Sequence, residues 1–160
     1  MDSGNTAWML TASALVLLMT PGLAFFYGGL VRASNVVNTI MYSFMAMAVV
    51  SVVWVLWGYS LAFAPGGPFI GGLSAIGLSG IDVASAADGD EELLFALFQM
   101  MFAIITPALI TGAIVERFKF TTYLVFLVLW ITFVYAPICH WVWAADGWLF
   151  GLGALDFAGG

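Results

Sequence analysis

Positive charge is almost absent from these 160 residues: three cations, Arg32, Arg117 and Lys119, stand against nine acids. Nucleic-acid binding needs a basic stripe or patch, and three cations cannot make one. The single cysteine, Cys139, rules out a disulfide within these residues and any site built from several thiolates. Near a helix end it reads as a small hydrophobe. The single histidine, His140, rules out a bis-histidine haem, and no cluster of His, Cys and carboxylate offers a metal its ligands. Serines and threonines are scattered with no base partner, so nucleophilic catalysis has no support and the chain does not read as an enzyme. No cofactor is expected. The opening MDSGNTAW has no basic region and leads into a long apolar run, which argues against a cleaved signal peptide.

What is present is apolar. The chain is 64% hydrophobic and 8% charged, with mean hydropathy +1.11. A soluble domain carries about 25% charged residues, so this composition belongs in a lipid bilayer. Four uncharged runs cover residues 7–30, 36–63, 93–115 and 120–139. At about 1.5 Å per residue a helix over any of them crosses a hydrocarbon core of about 30 Å. In lipid the backbone must satisfy itself, which selects helices; transmembrane strands would be shorter and alternating. The expected fold is all-α, a polytopic transmembrane helix bundle.

The third run organises the rest. Phe98 and Phe102 stand at i and i+4, so both rings leave one face of the helix. Pro107 near its middle removes a backbone donor and is expected to bend it, as Thr20-Pro21-Gly22 is in the first run. Ala24 with Gly28, and Ala108 with Gly112, form small-xxx-small pairs that let backbones approach. Glu116-Arg117-Phe118-Lys119 closes the run. All three cations fall in the first and third connections, so the positive-inside bias makes those connections cytoplasmic and the N-terminus external. The outer connection, 64–92, begins APGGPFIGG and ends acidic with Asp82, Asp88, Asp90, Glu91 and Glu92, and reads as a solvated loop. Trp54, Trp57, Trp141 and Trp143 read as interfacial belt residues, the last two just past the fourth span. His140, at the outer end of that span, reads as a satisfied interfacial imidazole ahead of a pH-sensitive mouth residue.

Within the spans only Thr20, Asn38, Ser43, Gln99, Thr106, Thr111 and Thr132 supply mild polarity. Charged groups of the kind that serve proton relays or voltage sensors are missing from their middles. A path between such helices suits a neutral solute and opposes a bare ion. Phe98, Phe102 and Trp143 at an outer mouth would attract a compact cation through their ring quadrupoles, although a lone aromatic cluster is more often packing. In GALDFAGG, Asp156 reads as the N-cap of a fifth helix, with Gly159 and Gly160 fit for close packing. A capped start with no helix behind it reads as a fragment of a longer polypeptide.

The runs LVLLMTPGLAFFYGGLVRASNVVN, WVLWGYSLAF, FQMMFAIITPALITGAIVERFKF and HWVWAADGWLFGLGALDFAGG, in that order, resemble the ammonium transporter family (Amt/Mep/Rh). The resemblance implies eleven transmembrane helices in two inverted five-helix repeats around a pore in each subunit of a homotrimer. Residues 1–160 would then be the N-terminal part of one membrane domain, with four helices and the first turn of a fifth. Phe98 and Trp143 resemble the aromatic residues of an outer ammonium-recruitment site. Phe102 resembles one of two stacked phenylalanines that block the pore, and Asp156 the aspartate that orders the mouth. His140 precedes DFAGG and so does not match a pore histidine. Gln99-Met100-Met101 stands between the two rings where smaller residues are expected in some relatives, which bears on ring positions. The implied function is recruitment of ammonium, loss of a proton near the Phe gate, and passage of ammonia through a hydrophobic pore. The alternative is an ammonium sensor of the same fold coupled to a signalling domain. Implied partners are ammonium or ammonia, the bilayer, two further copies of the chain and a PII-type signalling protein on the cytoplasmic side of the plasma membrane.

Overall fold

A computed structural model describes residues 3–81 and 91–157. Among them every regular element is helical, apart from one isolated bridge between Gly67 and Ile70. Helix α1 is Ser3–Gly28. Helix α2 follows a 3-10 turn, Ala33–Asn35, and runs Val36–Val53; it widens into a π-turn, Trp54–Gly58, and finishes with Tyr59–Phe63. Helix α3 is Glu91–Ile114. Helix α4 has the same build as α2: Phe120–Trp130, a π-turn at Ile131–Tyr135, then Ala136–Trp143. A single turn, α5, covers Trp148–Gly151. Four helices are thus long and apolar enough to cross a membrane. Asp82, Asp88 and Asp90, the Glu91 side chain, and Ala158, Gly159 and Gly160 lie outside the described residues.

Helix α1 packs on α2 and α3, α2 lies between α3 and the first half of α4, and Tyr59–Phe63 packs on Ala136–Trp143. Closest approach falls on small residues: Ala24, Ala46, Ala103 and Ala108 are fully buried. That is how helices associate where lipid supplies no hydrophobic drive between them. Gly112 is required in the same sense, because a Cβ there would lie 2.5 Å from the Tyr27 ring. Tyr27 then reaches past it to donate its hydroxyl to Leu109 O at 2.8 Å. Outward-facing Leu18, Phe25, Phe26 and Phe133 are exposed large apolar side chains. Both α1 and α3 run unbroken through Pro21 and Pro107. The two π-turns meet in the interior, where Trp57 Nε1–H donates to Thr132 Oγ1 at 2.9 Å; residue periodicity did not announce them.

The two ends of the bundle differ. At one end the connections are short and carry Arg32, Arg117 and Lys119. Glu116 ends α3 with a left-handed φ of 65° and accepts a hydrogen bond from Asn35 Nδ2 at 2.7 Å. Asn35 chiefly, with Arg32 adding to it, holds the Glu116 carboxyl below the usual carboxylate range. Tyr42 donates to Phe118 O at 2.7 Å and ties α2 to the same turn. At the other end, residues 64–75 fold back over α2 and α4. Ser60 Oγ donates to Gly72 O at 2.8 Å, Trp148 N–H to Pro68 O at 3.0 Å, and Trp141 Nε1–H to Phe69 O.

Three expectations need correction. Trp54 is not an interfacial residue: it is 1% exposed and its indole N–H donates to Ala96 O at 3.1 Å inside the bundle. Helix α4 extends past 139, so Trp141 and Trp143 belong to its last turn, closed by Ala144 N–H on His140 O at 3.1 Å. His140 is satisfied as expected, but fully buried and not interfacial. The backbone of the loop 64–75 lies over it and takes the place that solvent would have. Cys139 is buried in the core as a small hydrophobe should be.

Candidate functional site

The N-terminal half of α3 carries Phe95, Phe98, Gln99 and Phe102 at i, i+3, i+4 and i+7, which is one stripe of the helix. The Phe98 and Phe102 rings meet edge to face with centroids 5.0 Å apart at 76°. Phe102 in turn meets Trp143, from the last turn of α4, at 6.2 Å and 70°. Trp143 directs its indole N–H to Asp156 Oδ2 at 2.8 Å. The four side chains singled out in the sequence therefore form one connected series. With Phe95 and Gln99 they line an open cavity of about 330 Å³. Trp143 and Asp156 also line a second, mostly apolar cavity of about 320 Å³, shared with Thr106, Tyr135 and Cys139.

Sequence reasoning missed Phe95 and Gln99, though the signal was legible: both lie on the helical stripe already defined by Phe98 and Phe102. The helix for which Asp156 reads as the N-cap would lie in residues outside the described ones; within them the Asp156 carboxylate accepts from Trp143 Nε1–H. Gln99, Met100 and Met101 leave the i, i+4 rings in contact, and Met101 is buried in the core. His140 lines neither cavity.

The chemistry of the lining is selective. It offers aromatic faces, the Gln99 amide, the Thr106 and Tyr135 hydroxyls and one carboxylate, and no basic side chain lines either cavity. A compact cation is attracted to ring faces by about 0.5–2 kcal/mol per ring, depending on desolvation, and an anion is repelled. Beyond Phe102 polarity is withdrawn: Thr106 Oγ1 donates back to Phe102 O at 2.6 Å. Among the described residues no group of three His, Cys, Asp or Glu side chains could hold a metal. Such a lining favours a small cation over an anion.

The profile of the family described as Ammonium Transporter Family matches residues 7–160. An ammonium transporter of Bacillus subtilis is 53% identical over 162 residues, covering 100% of this chain and 40% of that protein. The crystal structure of Candida albicans Mep2 superposes with a TM-score of 0.88 at 40% identity, over 99% of this chain and 35% of that one. A solved Sensor Amt Protein gives a TM-score of 0.83 at 27% identity, over 97% of this chain and 39% of that one. The chain thus spans about two fifths of the length of the curated relatives it matches.

Proposed function

The chain belongs to the ammonium transporter family, and from that premise we propose that it forms the outer mouth and part of the pore wall of a protein that moves ammonium across the plasma membrane. Ammonium is recruited against Phe98 and Trp143, beside the carboxylate of Asp156. Phe102 restricts the path beneath. The ion gives up a proton there to water in the open cavity, because the helix middles beyond it hold no ionised group and a bare cation would be desolvated at prohibitive cost. Ammonia continues along the apolar path. The observation that carries this reading is the connected series Phe98–Phe102–Trp143–Asp156 around one open cavity. A homotrimer and a PII-type partner on the cytoplasmic side accompany the reading as family properties. The sensor reading shares the fold but rests on a relative of lower identity, 27% against 53%.

The test is methylammonium uptake, with ammonium as competitor, by the full-length protein. Trp143→Leu is expected to raise KM by roughly tenfold, the weight of one desolvated ring, with maximal rate per molecule retained. Phe102→Ala is expected to change maximal rate more than KM, because its role is steric. Wild-type KM and rate in both variants would place recruitment elsewhere.

The end that bears the cations faces the cytoplasm and the N-terminus faces outside, on the positive-inside bias. A cysteine at Ser34 is then labelled by an impermeant reagent only from the cytoplasmic side, and one at Ser74 only from outside. Labelling of both from outside would reject the orientation.

A further inference from the structure

His140 is fully buried one turn before Trp143. Its Nδ1 lies 2.9 Å from Ala62 O and its Nε2 lies 2.8 Å from Gly67 O. Both partners are backbone carbonyls, which accept and never donate. A neutral imidazole has one N–H; it would satisfy one carbonyl and set a nitrogen lone pair against the oxygen of the other. The doubly protonated ring donates to both. A carboxylate stands where such a ring needs one: Asp146 Oδ1 is 3.6 Å from Nε2. The other oxygen of Asp146 is engaged by Gly66 N–H at 3.0 Å. Other ionisable neighbours do not compete. Tyr59, on the segment that carries Ala62, sends its hydroxyl to Glu92 Oε1 at 3.4 Å. Residues 64–75 contain no ionisable side chain. Tyr135 and Cys139, on the same helix as His140, are both buried.

The contacts of His140 are the centre of a clamp. Four consecutive loop residues, 66 to 69, are each bound to the segment 140–148: Gly66 to Asp146, Gly67 to His140, Pro68 to Trp148 and Phe69 to Trp141. That segment includes the helix end from which Trp143 reaches Phe102. We propose that His140 is a doubly protonated positioning residue, whose two N–H groups pin the outer loop to α4 and thereby set the Trp143 ring for ammonium. This rests on the recruitment reading of Trp143. The clamp acts through Trp143 and does not touch the cation itself.

The full-length protein, labelled with nitrogen-15 histidine, tests the charge directly. His140 is assigned by the resonance lost in His140→Gln, or in His140→Asn should the first variant not fold. At pH 7.5 an ordinary imidazole, with a pKa near 6.5, is mostly neutral; His140 is expected to carry protons on both nitrogens. One bare ring nitrogen at that pH overturns the proposal. Uptake tests the positioning. His140→Gln is expected to raise KM for ammonium by about tenfold, as Trp143→Leu does, while maximal rate per folded molecule stays within about twofold. Asp146→Asn, which keeps the histidine and weakens its counter-charge, is expected to raise KM by about threefold. A KM shift in Trp143→Leu with none in His140→Gln and Asp146→Asn overturns the positioning role and leaves recruitment standing. No shift in Trp143→Leu removes the recruitment reading, and the positioning role with it, while the nitrogen spectrum still decides the charge.

Discussion

Phe63 meets Phe95 with ring centroids 5.0 Å apart at 78°, and Phe98 meets Phe102 at 5.0 Å and 76°. The pair geometry is the same within the scatter of any aromatic contact, yet the surroundings are opposite. Phe63 continues into Trp54 at 6.3 Å and Tyr59 at 5.6 Å, and both of those side chains are buried. The Trp54 N–H ends on a backbone carbonyl inside the bundle. Phe102 continues instead into Trp143, whose N–H ends on a carboxylate beside an open cavity. Ring geometry therefore does not separate packing from a site. What separates them is where the tryptophan N–H ends and whether space is left for a guest.

The largest effect that should follow from this contrast is on the closed side. Trp54→Ala removes a fully buried indole and its hydrogen bond to Ala96 O, costing about 3–5 kcal/mol for the side chain alone. Thermal unfolding of the full-length protein in detergent should show a large loss, and molecules that survive should keep wild-type KM. Trp143→Leu, on the open side, should reverse the pattern, with a shift in KM and a smaller loss of stability. A KM shift in Trp54→Ala as large as that in Trp143→Leu would erase the distinction.

The same contrast explains what could be read from the chain alone. Four long uncharged runs admit only membrane helices, so the existence and order of α1 to α4 were legible, as was the stripe that carries Phe98 and Phe102. The role of Trp54 was not. Tryptophan suits both an interface and a membrane interior provided its N–H finds a partner, and the partner is the backbone of α3, 42 residues away. The clamp over His140 was hidden for a related reason: its acceptors are carbonyls of Ala62 and Gly67, and a carbonyl has no signature in the sequence. The two π-turns left no trace in composition because the helices continue on both sides of them.

The smallest effect is also the sharpest test of the contrast, since it asks what the two phenylalanine pairs contribute as pairs. An edge-to-face contact is worth about 0.5–1.5 kcal/mol beyond burial, which a double-mutant cycle isolates. Phe95 complicates any single substitution, because it packs on the core and also lines the cavity. Phe95→Leu should therefore change stability and KM together. Its coupling to Phe63→Leu removes that ambiguity: the interaction term should appear in the unfolding free energy, while the effects on KM simply add. The cycle of Phe98→Leu with Phe102→Leu should give the converse, a coupling in KM of about two- to twelvefold, which is the same energy at about 1.4 kcal/mol per decade. Phe98 and Phe102 hold their edge-to-face angle against a cavity and not against a core, so a guest cation meets both rings at once and removing one alters what the other offers. Coupling of the outer pair in stability alone would make it a second packing cluster that happens to border a void.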